Sequence, residues 1–384
     1  CPVVGSSRLT RPVLAACAVV ALAAAVAVVG APEVPAGSSA AAARPQRAPA
    51  AARPQRAPAA ARGVGVGLAR CTFVDTSRTT FDYHTGATHP GRVLRTEIRY
   101  PSVAAANAAG EVAGAGPDTR RGALPTIFFA PGYDVTPDAY TALLDAWVRA
   151  GFAVVAPSFP DTRPAAVSAA RVGGSPEDDI VNQPADLAFL VRAALAASRT
   201  LDPACRVLHG LIDPAAVGLA GQSDGGSTVA MLAYDRSPAY AGLQVGVPVR
   251  AAAVLSGSEE PGTGPYEATA GDPALLVVQS ATDRCNPPQE SVELYDAVVQ
   301  QDRWFLAIHR ANHLPPYDGK NAAAFADVAR VTTRFFLLEL HHEVPAAGFV
   351  AYGNANAAVA TLTTGPAAPA LRALGFKIAA CYAD

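Results

Sequence analysis

The stretch Ala215-Ala216-Val217-Gly218-Leu219-Ala220-Gly221-Gln222-Ser223-Asp224-Gly225-Gly226-Ser227-Thr228-Val229-Ala230-Met231-Leu232-Ala233-Tyr234 reads as an apolar strand, a G-x-S-x-G turn and a helix, in that order. In that context the pentapeptide is a nucleophile elbow. A serine on so tight a turn tolerates only small neighbours, so glycines stand where strand and helix nearly touch. Its Oγ then projects above the sheet. The backbone N–H of Asp224, opening the helix, can face a developing oxyanion. Without the flanking strand and helix, a Gly- and Ser-rich loop would match the pattern by chance.

Working outward, the chain alternates strand and helix patterns. Residues 93–100 alternate apolar and polar, as an edge or half-buried strand does. Residues 101–122, rich in Ala, Gly and charge, read as a loose loop. Buried strands are expected at 126–130, 152–156, 250–255, 274–280 and 304–308, with helices at 137–150, 184–198, 289–301 and 321–341. Such alternation implies an α/β fold with a mostly parallel sheet covered on both faces. Active residues then belong at the carboxyl ends of the strands.

Two candidates meet that rule. Asp283 follows the strand at 274–280, and lies sixty residues beyond Ser223. The strand at 304–308 leads into His309-Arg310-Ala311-Asn312-His313, which offers two histidines. His309 lies close to the strand, where its side chain can turn into the sheet face. His313 has the loop length to fold back over Ser223 and is preferred. The order Ser, Asp, His is that of an acyl-transfer triad. The competing reading of Asp283 is a turn or N-cap aspartate. A second oxyanion donor is expected after the first central strand, where Ala130-Pro131-Gly132-Tyr133-Asp134 lets the N–H of Tyr133 pair with that of Asp224. Taken alone, Pro-Gly is simply a turn.

Together these motifs carry a resemblance. From about residue 93 to 340 the chain resembles secreted bacterial α/β-hydrolases of the dienelactone-hydrolase, platelet-activating-factor acetylhydrolase and polyester-hydrolase (cutinase-like) group. The motifs are Pro131-Gly132-Tyr133, Gly221-Gln222-Ser223-Asp224-Gly225-Gly226, Asp283 with Pro287 following, and Ala311-Asn312-His313. They are specific for the superfamily, not for a substrate. The resemblance implies an α/β-hydrolase fold without a large lid and a serine hydrolase of carboxylic esters. Ser223 would be the nucleophile, His313 the general base and Asp283 its orienting partner. No cofactor and no metal are implied, and the histidines lack ligand spacing. Alternatives on the same fold are a lipase or polyesterase, a thioesterase, a peptidase, a transferase or a non-catalytic binding protein.

Two departures bear on the substrate. Polyester hydrolases place Met directly after the nucleophile and Trp after the next strand. Here those positions hold Asp224 and the stretch Ser256-Gly257-Ser258-Glu259-Glu260. An acidic mouth of Asp224, Glu259 and Glu260 points to small, neutral, short-acyl esters, since burying an unpaired carboxylate against an aliphatic chain is costly. The competing arrangement has Asp224 capping its own helix.

The remaining composition sets the context. Of 384 residues half are apolar, enough for one large domain. Residues 1–70 hold eight arginines and one acid, Glu33, whereas the rest holds 22 basic and 31 acidic residues. An acidic domain with no basic helix argues against a nucleic-acid partner. Arg8 and Arg11 precede an apolar run, residues 12–32, then small residues, which is an export-signal pattern for residues 1–36. The run is also long enough to anchor the chain in a membrane. Residues 44–52 recur unchanged as 53–61, a Pro- and Arg-bearing repeat too short for a solenoid unit, so 37–70 reads as a linker. The catalytic domain is expected at 71–344, with an unassigned extension at 345–384. Cys71, Cys205, Cys285 and Cys381 form an even set, as disulfides in an exported, secreted or cell-surface protein would. Cys205 before the elbow strand and Cys285 after Asp283 fall at opposite ends of the sheet, too far apart to bond. The remaining pairings stay open. A monomer acting on a small-molecule ester is expected.

Overall fold

The computed structural model describes residues 64–365, apart from 106–109, 259, 261, 301 and 342–344. The chain divides into two units, Cys1–Ala57 and Pro58–Asp384, and every described residue belongs to the second. The export or membrane segment at 1–36, the repeat, Glu259 and Cys381 lie outside the described residues.

Ten strands form one sheet: β1 (Gly65–Phe81), β2 (Thr88–Ser102), β3 (Glu111–Ala113), β4 (Leu124–Ala130), β5 (Ala153–Ser158), β6 (Ile212–Gln222), β7 (Val249–Leu255), β8 (Ala274–Ser280), β9 (Arg303–Ile308) and β10 (Ala360–Thr363). Their order is β10-β9-β8-β7-β6-β4-β5-β2-β1-β3. The six strands β5, β4, β6, β7, β8 and β9 run parallel. Antiparallel β2 borders β5, and antiparallel β10 borders β9. The helices are α1 (Thr141–Arg149), α2 (Pro164–Ala169), α3 (Gln183–Arg199), α4 (Asp224–Tyr234), α5 (Pro288–Ala297), α6 (Pro315–Asp318), α7 (Ala322–Phe336) and α8 (Phe349–Gly353).

The two faces follow from the period of a strand, which sends successive side chains to opposite sides. In β4, Ile127 and Phe129 pack with Trp147 of α1 and Phe336 of α7, whereas Phe128 packs with Leu187 and Leu190 of α3 and Val229 of α4. Each such fully buried side chain is worth roughly 1.5–3 kcal/mol. Both faces being covered explains why the central strands read as unbroken apolar runs. This is the α/β-hydrolase fold. Among the described residues, the two long segments at the carboxyl end, 159–182 and 256–273, carry only α2 and a 3₁₀ turn at Pro176–Asn182.

Two boundaries differ from the sequence reading. Residues 65–70, expected to be linker, already pair with 97–102. Within the stretch read as an extension, Ala360–Thr363 pairs with β9 and completes a sheet edge. Four residues of a short edge strand carry too little periodicity to stand out in an Ala-rich tail.

Candidate active site

Register places the parallel strands' carboxyl ends side by side. Ala130 lies opposite Gly221, Gln222 opposite Leu255, and Ser280 opposite Ile308. The residues that follow them therefore meet.

Ser223 sits between β6 and α4 with φ 57° and ψ −127°. A non-glycine residue held there costs of order 1–3 kcal/mol, which the packing around it must offset. The glycines allow that packing. A Cβ on Gly221 would fall 2.0 Å from the Gly225 carbonyl oxygen, and one on Gly225 2.0 Å from that of Ala130. Strand and helix thus touch through bare backbone on both sides of the serine, as the motif requires. Gly132 abuts from the β4 loop, where an added Cβ would lie 3.0 Å from Ser223 Cβ. That loop is pinned next to Tyr133, because Asp134, itself at φ 57°, donates its N–H to Thr162 O at 2.8 Å.

His313 and Asp283 are brought together. His313 Nδ1 lies 2.8 Å from Asp283 Oδ2. The carboxylate is fixed by three further donors: Gln279 Nε2 on Oδ2 at 3.1 Å, and the N–H groups of Cys285 and Asn286 on Oδ1 at 2.8 and 3.1 Å. An acceptor-only carboxylate at Nδ1 fixes the tautomer with the proton on Nδ1 and the lone pair on Nε2. The loop bearing His313 is itself tied down, since Ala311 O accepts from Ser280 Oγ at 2.6 Å and Thr282 Oγ1 at 2.8 Å.

His309 is engaged elsewhere. Its Nε2 lies 2.8 Å from Thr361 Oγ1 of β10, and its N–H donates to Val359 O. The edge strand hidden in the sequence is thus what occupies the second histidine.

Three residues escaped the sequence reading. Gln222, 1% exposed, places Nε2 3.2 Å from His313 Nε2, so its amide donates to the lone pair that would take the Ser223 proton. Its Oε1 accepts from Tyr140 Oη at 2.7 Å, and Tyr140 Oη accepts from Gly132 N–H at 3.2 Å. Gln222 and Tyr140 therefore connect the loop after β4 to His313. Gln279 anchors Asp283 while accepting from Ser291 Oγ. An amide inside an otherwise apolar strand, as at Gln279, is the signal that could have found it. Ser223 Oγ makes no hydrogen bond among the described residues. Such contacts commonly tighten only when substrate is bound.

Asp224 opens α4 and is buried, and among the described residues its Oδ2 has no hydrogen-bond partner. Burial, then the charges of Glu177 and Glu260, push its carboxyl up to about 8. Burial thus favours the neutral acid, opposed by a hydrogen bond from the residue's own backbone N–H.

Asp283, Cys285 and His313 bring one ligand atom each within 4.8 Å of one another. Cys285 is a disulfide cysteine, which removes the thiolate a metal would need. The fit is poor. The other described disulfide joins Cys71 of β1 to Cys205, with Cα atoms 5.5 Å apart.

No protein-family model and no curated protein matches the sequence. Among solved structures, the chain is similar to a ferulic acid esterase from Streptomyces cinnamoneus, with a TM-score of 0.53 and 20% identity over 76% of this chain and 96% of that one. At that identity the likeness bears on the fold.

Proposed function

We propose that this protein is a carboxylic-ester hydrolase that works through Ser223, His313 and Asp283 and a covalent acyl-enzyme. The observation that carries the proposal is Ser223 at φ 57° on a glycine-flanked elbow, at the same sheet end as a histidine held 2.8 Å from a buried aspartate. That a structural neighbour is a ferulic acid esterase adds support for ester chemistry.

In this account Ser223 Oγ attacks the ester carbonyl while His313 Nε2 takes its proton. His313 must first exchange its Gln222 contact for Ser223 Oγ. Asp283 stabilises the imidazolium that results. The N–H groups of Tyr133 and Asp224 receive the oxyanion, a contribution of roughly 3–4 kcal/mol per donor. The imidazolium protonates the leaving alcohol, and water repeats the cycle on the acyl-enzyme. None of these steps calls for a metal or cofactor.

Among the described residues the long segments 159–182 and 256–273 carry only α2 and a 3₁₀ turn and so build no large apolar lid, which favours small, short-acyl esters over long lipids and polymers. The Cys71–Cys205 disulfide supports an exported protein, since cytosolic thiols are held reduced. Among the described residues no helix is long and apolar enough to cross a membrane. The test is kcat/KM for p-nitrophenyl acetate, butyrate, octanoate and palmitate with wild type and Ser223→Ala. The expected outcome is a decline from butyrate to palmitate and a loss of roughly four or more orders of magnitude in kcat on removing the serine. Near-normal turnover by Ser223→Ala contradicts the proposal.

A further inference from the structure

Gln222 closes β6 immediately before the proposed nucleophile and is 1% exposed. Four hydrogen bonds run end to end through it. Gly132 N–H donates to Tyr140 Oη at 3.2 Å, and Tyr140 O–H donates to Gln222 Oε1 at 2.7 Å. Gln222 Nε2 then lies 3.2 Å from His313 Nε2, and His313 Nδ1 lies 2.8 Å from Asp283 Oδ2.

The order of the protons is set at both ends. The Asp283 carboxylate, which accepts from three other donors, calls for the proton on His313 Nδ1. That leaves a lone pair on Nε2, so the amide must present its NH₂ group there. At the other end a backbone N–H can only donate. Burial pushes the Tyr140 phenol well above its ordinary range, so its oxygen keeps a proton and gives it to Gln222 Oε1. A single orientation of the Gln222 amide satisfies both neighbours.

The elbow itself does not ask for this amide, since its tight turn constrains the flanking glycines and leaves the residue before the serine open. Burying an amide and a phenol is costly unless each finds a partner, and here the partners are the parts of the site. Gly132 meets the same pair of residues from the loop after β4: an added Cβ would lie 3.0 Å from Ser223 Cβ and 3.1 Å from Gln222 Oε1. We propose that Gln222 and Tyr140 are positioning residues that tie the oxyanion loop to the nucleophile elbow and to the general base. This rests on the ester-hydrolase reading and deepens it.

The two halves of the chain act at different moments. No atom between Gly132 and Gln222 changes protonation, so that half holds the N–H of Tyr133 in place while the oxyanion develops. The half that ends on His313 lasts while the base is neutral. Once Nε2 has taken the Ser223 proton it is a donor facing another donor, and it must turn to an acceptor, the oxygen of the leaving alcohol. Gln222 therefore restrains the base before attack and releases it afterwards.

The experiment uses two variants. Tyr140→Phe removes one hydroxyl and keeps the ring, which packs edge-on to Phe129 with centroids 4.8 Å apart. Gln222→Met keeps the length of the side chain and removes both polar atoms. With p-nitrophenyl butyrate each should lower kcat roughly tenfold or more and leave KM within about twofold, the pattern of lost transition-state positioning. The double variant should lose little more than Gln222→Met alone, because members of one chain are not additive. Histidine-selective nitrogen NMR then reads the chain itself. Wild type should carry its proton on His313 Nδ1, with Nε2 a hydrogen-bonded acceptor. The Nε2 resonance should move in Gln222→Met and also, through the freed amide, in Tyr140→Phe. A packing role alone would lower Tm, give additive losses of kcat and leave the His313 resonance unmoved by Tyr140→Phe, which overturns the proposal. A neutral wild-type His313 with its proton on Nε2 overturns it too, and that result needs no variant to fold. A fluorophosphonate control separates the two levels. Labelling of Ser223 with His313 indifferent to Tyr140 ends only the positioning roles, whereas folded wild type that neither labels nor hydrolyses ends the ester-hydrolase reading as well.

Discussion

At the residue scale, the two histidines provide the sharpest contrast. Both follow β9, four residues apart, and both are hydrogen-bonded, yet their partners differ in kind. His313 faces a carboxylate and an amide, whereas His309 faces a threonine hydroxyl and a backbone carbonyl on the β10 side. Both pairings place a proton on Nδ1, but only the first adds a carboxylate partner for the charge of an imidazolium. His313→Ala should therefore match Ser223→Ala in its loss of kcat, because residues acting as one unit fail together. His309→Ala should keep kcat within roughly tenfold, with its effect on thermal stability instead. Steady-state kinetics on p-nitrophenyl butyrate, alongside melting curves, checks both. The reverse ranking would place the general base on His309. The candidates Ser223, Asp283 and His313 could be picked out of the sequence because acyl-transfer chemistry would demand those residue types after particular strands. Gln222 was not. An amide between a glycine and a serine has no periodicity to mark it, and its role comes from contacts with Tyr140, 82 residues earlier, and His313, 91 residues later.

Among the elements, β2, α3 and the turn that precedes α3 depend on one buried guanidinium. Arg92 of β2 is 1% exposed and bonds Asp186 of α3 through Nε and Nη2, and Asp179 of the turn through Nη1 and Nη2. Arg78 of β1 adds a second contact to Asp186. The cluster fixes the 3₁₀ turn that carries Glu177 and the start of α3, where Gln183 bonds Thr228 of α4 at 2.7 Å. Removing one partner from such a site leaves the others buried and uncompensated. Arg92→Met should cost about 3–5 kcal/mol, seen as a lower urea midpoint with an unchanged slope. A change below about 1 kcal/mol would show that Asp179 and Asp186 find water or Arg78 sufficient. No pattern in the chain hints at this cluster. Its members lie on elements 87 and 94 residues apart, and each looks like an ordinary surface charge until the sheet is assembled. The central strands, by contrast, were legible within about three residues at each end, because burial on both faces makes each an apolar run.

For the whole molecule, the sheet is closed at one edge by a covalent tie and at the other by the late strand β10. Cys71–Cys205 joins β1 to the loop after α3 across 134 residues. A closure that long restricts the unfolded chain strongly, and losing such a bridge typically costs about 2–5 kcal/mol. The Cys71→Ser, Cys205→Ser double variant should melt lower by calorimetry while keeping kcat/KM at 25 °C. Lost activity in a folded sample would instead couple this edge to the site. The pairing itself could not be read from sequence, because which cysteines meet depends on β1 lying beside β2, and β1 was mostly hidden in what read as a linker and a start at Cys71. The global claim is that the elbow, the histidine loop and the aspartate turn form one acyl-transfer centre. Fluorophosphonate labelling followed by peptide mass analysis addresses it most directly, because it requires the serine, its base and the oxyanion donors to act together. The account predicts one adduct per chain on Ser223, strongly slowed in His313→Ala and absent in Ser223→Ala. An unlabelled folded protein, or an adduct on any other residue, would contradict it.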